Sequence, residues 1–292
     1  MPRPSPQTDR VIATINLLAS TPAGATLTEI ARAVGQEPST CQHMLAALTA
    51  SGFLVREPAD RRYHLGPALV APGQVAQARY PVLAAARPEM EGLSRRFDLP
   101  CYAFSADGDH ARLVHVTVEP GTPVVPVRTG ETLPLAPPLG ALFVAWAGDD
   151  AIERWLDADP TIDALGRTRY RAVLAEVREA GYAAEVLPAS SVDGDVLHLL
   201  QDRASPWRDR HLRERLVDPG TEVVVGAERI DDGAFVTVGA PVRSRRGEVV
   251  LTLSIAGSGS ELTSLGVATV GGALRAATRR VRRALPPDSR PR

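Results

Sequence analysis

Ser39, Thr40, Gln42 and His43 lie within five positions of one another, and Arg56, Arg61 and Arg62 follow shortly after. These are residue types that read nucleic acid. An amide and an imidazole reach base edges in a major groove, and a small neighbour such as Ala46 permits close approach. Hydroxyls at the start of a helix, beside backbone N–H groups with no intrahelical partner, bind phosphate. Arginines on a projecting hairpin meet the sugar–phosphate backbone or the minor groove. Thr28 is placed with this group.

Such chemistry requires a helix that hides one side and offers the other. From about Ser39 to Ser51, Cys41, Met44, Leu45 and Leu48 fall on one face, while Ser39, Gln42, His43 and Ala46 fall opposite. Gly52 ends that helix. Two helices are expected before it. One runs from Arg10 to Ser20, with Val11, Ile15 and Leu18 in register, and a short one runs to Val34 with Thr28 as its N-cap. Gly35 stops the second. Residues 53–57 and 62–65 alternate as strands around the polar turn 58–61. Three short helices and a hairpin make a winged helix-turn-helix. The recognition face is only weakly cationic, so affinity must lean on the wing arginines and on dimerisation.

The remainder is long enough for a second domain, the whole chain having 292 residues. Residues 66–80 read as an inter-domain connection. Helices are expected at 81–97, 138–147, 151–156, 168–180 and 265–285, and strands at 100–106, 112–119, 124–128, 222–226, 235–242 and 248–256. The strands come mostly in hairpin pairs, with Asp107-Gly108-Asp109 and Arg246-Gly247 as turns, which implies an antiparallel sheet flanked by helices, α+β in class. In the strand near 248–256, Val249, Leu251, Leu253 and Ile255 share one face. Thr252, Ser254 and Ala256 share the other, and small hydroxyl side chains suit a cavity for a polar ligand. The charged stretch 188–218 reads as an insertion, and Gly257 to Ser260 as a loop.

Composition narrows the classes. Hydrophobic residues make up 44% of the chain, net charge is -1, and all 33 basic residues are arginine. No apolar run approaches the roughly 20 residues needed to cross a bilayer, and the polar, proline-rich start has no signal-peptide pattern, so a cytoplasmic address is expected. Cys41 and Cys101 stand far apart, which argues against a disulfide framework or a cysteine zinc site. The six histidines show no metal spacing, Asp107-Gly108-Asp109-His110 is ordinary turn chemistry, and no nucleophile-elbow, phosphate-loop or dinucleotide motif occurs. No catalytic residue, metal ligand or cofactor is therefore expected, and the chain is not read as an enzyme. The alternative is a small-molecule-binding module, or an enzyme, that does not touch DNA.

The run LTEIARAVG at 27–35, Pro38-Ser39-Thr40, MLAAL at 44–48, SGFL at 51–54 and YHLGP at 63–67 resembles the IclR family of bacterial regulators across some 60 residues. His43 stands where that family commonly has arginine. Downstream, Arg87-Pro88 with Leu93, TLPL at 132–135 through LGAL at 139–142, EAGY at 179–182, VGAPV at 238–242 and LSIAG at 253–257 are similar to the family's second domain. The resemblance implies a winged helix-turn-helix over residues 1–65, a linker over 66–80, a GAF-like effector domain over 81–285 and a disordered tail over 286–292. It also implies a double-stranded DNA operator, a small-molecule effector, and a homodimer or dimer of dimers. Carried over position by position, the effector site would include Leu135, Leu139, Gly140, Thr237 and Ser254. Thr237 replaces a common cysteine and Ala256 a second serine, so the pocket is expected to be less polar than a small-carboxylate sensor requires. The acidic residue that the resemblance places upstream of that strand has no clean match, Glu228 being nearby but out of register.

Overall fold

The computed structural model describes residues 5–19, 21, 23–78, 80–120, 122, 129–187, 222–226, 230–232 and 234–286. The described residues fall into two compact units, one ending at residue 78 and the other starting at residue 80.

In the first unit, α1 (Pro6–Ala19), α2 (Leu27–Ala33) and α3 (Pro38–Ala50) precede an antiparallel hairpin of β1 (Leu54–Arg56) and β2 (Tyr63–Leu65), with Val55 opposite His64. The start of α2 differs from expectation: Thr26 is the N-cap, not Thr28. Thr26 Oγ1 accepts from the Glu29 N–H at 3.3 Å, while the Glu29 carboxylate accepts from the Thr26 N–H at 2.7 Å. A glutamate three residues after a threonine closes this reciprocal box, and only Thr26 has that partner. Pro38 opens α3, where its missing N–H costs nothing. Leu18, Ile30, Ala31, Val34, Cys41, Leu45, Leu54 and Tyr63 form the core, and Ala25 bridges to Tyr63 to tie the hairpin onto the helices.

The hairpin exit depends on glycine. A Cβ on Gly66 would lie 2.1 Å from the Gly52 carbonyl oxygen, and the Gly66 N–H donates to Phe53 O at 2.7 Å. Two backbone segments therefore touch where any larger residue would separate them. After Gly66 the chain forms a 3₁₀ turn (Pro67–Leu69) and α4 (Val70–Ala78), so the expected connection is largely helical and belongs to the first unit.

The second unit begins with α5 (Pro81–Phe97), β3 (Cys101–Asp107), β4 (His110–Thr117) and β5 (Thr132–Pro134). Next come α6 (Ala141–Val144), α7 (Asp149–Asp157), α8 (Ala164–Ala180), β6 (Ala183–Leu187) and β7 (Glu222–Val224). It ends with β8 (Phe235–Arg243), β9 (Val249–Ser258), α9 (Gly259–Leu265) and α10 (Val267–Ala284). Seven strands form one sheet in the order β5-β4-β3-β9-β8-β6-β7, and every pairing is antiparallel. The architecture is α+β, as expected.

Alternation along the strands supplies two apolar faces. Ala184, Val186, Val236, Val238, Ala240, Leu251, Leu253 and Ile255 pack with Met90, Leu93 and Phe97 of α5 and Leu274 and Val281 of α10. The helices α6, α7 and α8 enclose a second core around Leu142, Trp155, Leu156, Leu174 and Val177.

Several elements differ from expectation. The helix expected at 138–147 is confined to Ala141–Val144, because Pro137 and Pro138 lack N–H donors and Gly140 turns left-handed at φ 85°. The expected C-terminal helix is present as α10, its start set two residues later by Gly266 at φ 77°. The loop expected at Gly257 to Ser260 instead completes β9 and starts α9, because Ser258 and Glu261 form a capping box. Strands β5 and β6 were not expected, being short and without clear alternation. The strand expected at 124–128, the insertion at 188–218 and most of the tail lie outside the described residues.

Candidate functional site

In the first unit, helix geometry sorts α3 as the periodicity requires. Cys41 and Leu45 are buried, Met44 and Leu48 are half-buried against the same core, and Ser39, Thr40, Gln42, His43 and Ala46 are exposed. The N-cap Glu37 makes no side-chain cap, so the first-turn N–H groups of Ser39 and Thr40 have no intrahelical partner. His43 Nδ1 lies 3.2 Å from the Ser39 carbonyl. Because a carbonyl only accepts, the ring proton sits on Nδ1, and in the neutral ring Nε2 faces outward as an acceptor. Thr28 is exposed on α2.

The three hairpin arginines do different things. Arg61 is exposed at the tip, held at φ 60°. Arg56 is exposed with its guanidinium 5.4 Å from the Tyr63 ring centroid, an orientation that stacking fixes. Arg62 turns inward: Nη1 donates to the Gly24 carbonyl at 2.9 Å and to Glu29 Oε2 at 3.2 Å. Glu29 is thereby shared between the α2 cap and the hairpin, and its carboxyl is held below the usual range chiefly by the Thr26 N–H. Arg62 braces the hairpin against α2, a distinction that sequence alone could not draw among three arginines.

In the second unit, the five carried-over residues come together on the sheet face that α6 covers. Ser254 of β9 is buried, opposite Gly239 of β8 and Tyr102 of β3. A Cβ on Gly239 would lie 2.6 Å from both Ser254 Oγ and Leu142 Cδ1, so glycine lets α6 approach the sheet. Leu135 packs on Gly140, whose Cβ would lie 2.5 Å from Leu135 Cδ2. The Leu139 carbonyl accepts from the buried Trp155 indole N–H at 2.8 Å, which fixes the chain just ahead of α6. Thr237 is half-exposed although β8 lies inside the sheet, so the face is open above it. Tyr102, Leu113 and Ala256 line the same side, with Phe104 and Phe235 half-buried beside them.

The residue missed from sequence is Glu185. It sits directly across from Thr237 in the β6–β8 register, and its Oε1 accepts from the Gly140 N–H at 3.1 Å. Burial pushes its carboxyl up to about 7, against the opposing pull of that N–H bond. Glu228, the sequence candidate for an acid here, lies outside the described residues. The available signal was the segment Glu179-Ala180-Gly181-Tyr182: a helix ended by Gly181 sends the chain into a strand, and alternation places Glu185 with Ala183 and Leu187 on one face. Among the described residues no group of three or more histidine, cysteine or carboxylate side chains could hold a metal, and no helix is long and apolar enough to cross a membrane.

A three-helix unit with an exposed polar helix face and a flanking antiparallel hairpin defines a winged helix-turn-helix protein, here followed by an antiparallel-sheet domain. The IclR helix-turn-helix domain profile matches residues 7–58. The DNA-binding transcriptional repressor YiaJ of Escherichia coli is 27% identical over 179 residues, 58% of this chain and 63% of that protein. The chain's match therefore spans less than two thirds of YiaJ. The HTH-type transcriptional regulator TtgV of Pseudomonas putida is 30% identical over 184 residues, 61% of this chain and 69% of that protein. Among solved structures, an IclR homolog from Microbacterium hydrocarbonoxydans, complexed with 4-hydroxybenzoate, superposes with a TM-score of 0.64 at 17% identity, covering 95% of this chain and 98% of that one. The chain belongs to the IclR family.

Proposed function

We propose that the protein is a DNA-binding transcriptional regulator whose operator binding is modulated by a small-molecule effector. The observation that carries this reading is the exposed Ser39, Gln42, His43 and Ala46 face of α3, backed by buried Cys41 and Leu45 and flanked by the Arg56 and Arg61 hairpin. Gln42 and His43 face base edges in the major groove, and Ser39 and Thr40 receive a phosphate at the α3 N-terminus. Thr28, on α2, is a further phosphate contact. Arg56 and Arg61 neutralise backbone charge, whereas Arg62 holds the hairpin in position. The regulator names of YiaJ and TtgV support the reading.

The effector occupies the face formed by Leu135, Leu139, Gly140, Thr237 and Ser254, joined by Glu185. The 4-hydroxybenzoate bound to the Microbacterium homolog supports a ligand-binding role for a protein of this fold. The chain works in the cytoplasm as a homodimer or dimer of dimers on a near-palindromic double-stranded operator. Val70 and Val75, exposed on α4, offer apolar surface to a second copy. The domains are 1–65, a connection at 66–80 that couples the two sites, 81–285, and the tail 286–292. A gel shift against the DNA upstream of its own gene, titrated with salt, tests the reading. The expected result is binding that weakens steeply between about 50 and 200 mM salt, by orders of magnitude where several phosphates are contacted. Absence of any shift at low salt, with or without metabolite extract, would overturn it.

A further inference from the structure

The carboxyl group of Glu185 determines what the site in the second unit can accept. Its Oε1 takes the Gly140 N–H at the entry to α6, which is the N–H an incoming carboxylate would otherwise compete for. Its second oxygen has no hydrogen-bond partner among the described residues. Glu185 is half-buried beside half-exposed Thr237, so that oxygen is reachable from the open part of the face. Among the described residues, burial raises the ionisation of this carboxyl and the Gly140 N–H opposes it, and no arginine or histidine adds to them.

We propose that the effector presents a hydrogen-bond donor, a hydroxyl or an ammonium, to the Glu185 carboxyl, and carries no carboxylate of its own. This rests on the reading of the face as the effector site. A ligand carboxylate brought beside Glu185 would set two acids together in a poorly hydrated place, with no counter-charge among the described residues, which is strongly unfavourable. A donor satisfies the free oxygen and gains from the low dielectric around it. The ligand body is apolar and flat: Tyr102 and Phe104 stack with ring centroids 6.4 Å apart, and Phe235 and Ala256 extend the same side.

Three probes of matched ring size separate the cases: benzylamine, benzyl alcohol and benzoate. Each is titrated calorimetrically into the full-length protein and into Glu185→Gln at pH 8, where the carboxyl is mostly ionised. The wild-type protein is expected to bind benzylamine and benzyl alcohol, and to bind benzylamine at least about tenfold more tightly than benzoate, the size of one charge-assisted bond. Glu185→Gln should erase that preference and strengthen benzoate. Benzoate binding the wild type as tightly as benzyl alcohol would overturn the proposal, as would an unchanged order in a folded Glu185→Gln protein. If the variant fails to fold by circular dichroism, the wild-type order alone decides. If no probe binds either protein, the assignment of this face as a ligand site falls and the proposal falls with it, while the DNA reading is judged separately by the gel shift.

Discussion

Replacing Glu185 by glutamine should change how the stability of the second unit depends on pH. The carboxyl ionises at 4.5 when unperturbed and at about 7 in the fold, where burial opposes the charge. Between those values the folded chain holds a proton that the unfolded chain has released, so stability falls as pH rises through this window. At about 1.36 kcal/mol per tenfold change, the ionised group costs the folded state up to about 3 kcal/mol by pH 8. Glutamine is nearly isosteric and carries no charge, and its amide oxygen can still accept the Gly140 N–H. The variant should therefore match the wild type near pH 4.5 and exceed it by up to about 3 kcal/mol at pH 8, or about 6–12 °C in midpoint for a domain of this size. His115 titrates over part of the same range with the opposite effect. Its imidazole is held low by burial and then by Arg87, against Glu91, so it favours the fold as pH rises. Because His115 is present in both proteins, the difference between them isolates Glu185. Denaturant unfolding of both proteins at half-unit steps from pH 4.5 to 8.5 measures that difference. Parallel curves would refute the reasoning, since they would mean that the carboxyl is hydrated or neutralised in the fold.

Three further substitutions test the first unit. Arg61→Ala should lower affinity for all duplexes alike and reduce the slope of log affinity against log salt by about one, leaving unfolding unchanged, whereas Arg62→Ala should destabilise the unit through loss of the Gly24 and Glu29 bonds; salt-titrated gel shifts and thermal unfolding of each variant separate the two. Gly66→Ala forces a Cβ to within 2.1 Å of the Gly52 carbonyl oxygen, so the hairpin exit must shift; the expected outcome is loss of DNA binding and earlier proteolysis of the first unit, while the second unit's transition stays where it was.

Much of the first unit was legible because its contacts are local. The α3 face follows from the 3.6-residue period, with Cys41 and Leu45 inside and Gln42 and His43 outside, and Gly35 and Gly52 mark helix ends whatever surrounds them. The α2 cap was misplaced by two residues because Thr26 and Thr28 are equally good caps in isolation, and only Glu29 distinguishes them. In the second unit the β8 and β9 faces were legible from alternation. The helix near 138–147 was overextended, because apolar Leu139 to Ala145 suits a helix while Gly140 and the prolines before it delay its start.

Sequence by itself determined the class of the protein: which residues turn inward on α3, that a hairpin follows, and that hairpin-paired strands make an antiparallel sheet. Periodicity and turn chemistry act over a few residues and are written directly in the chain. Tertiary structure alone decided that Arg62 braces while Arg61 stays exposed at the hairpin tip, because the partners of Arg62, Gly24 and Glu29, lie 38 and 33 positions away. It alone brought Glu185 beside Thr237 and Gly140, since strands far apart in sequence become neighbours only through sheet register, and the ionisation of a carboxyl depends on what that register buries around it.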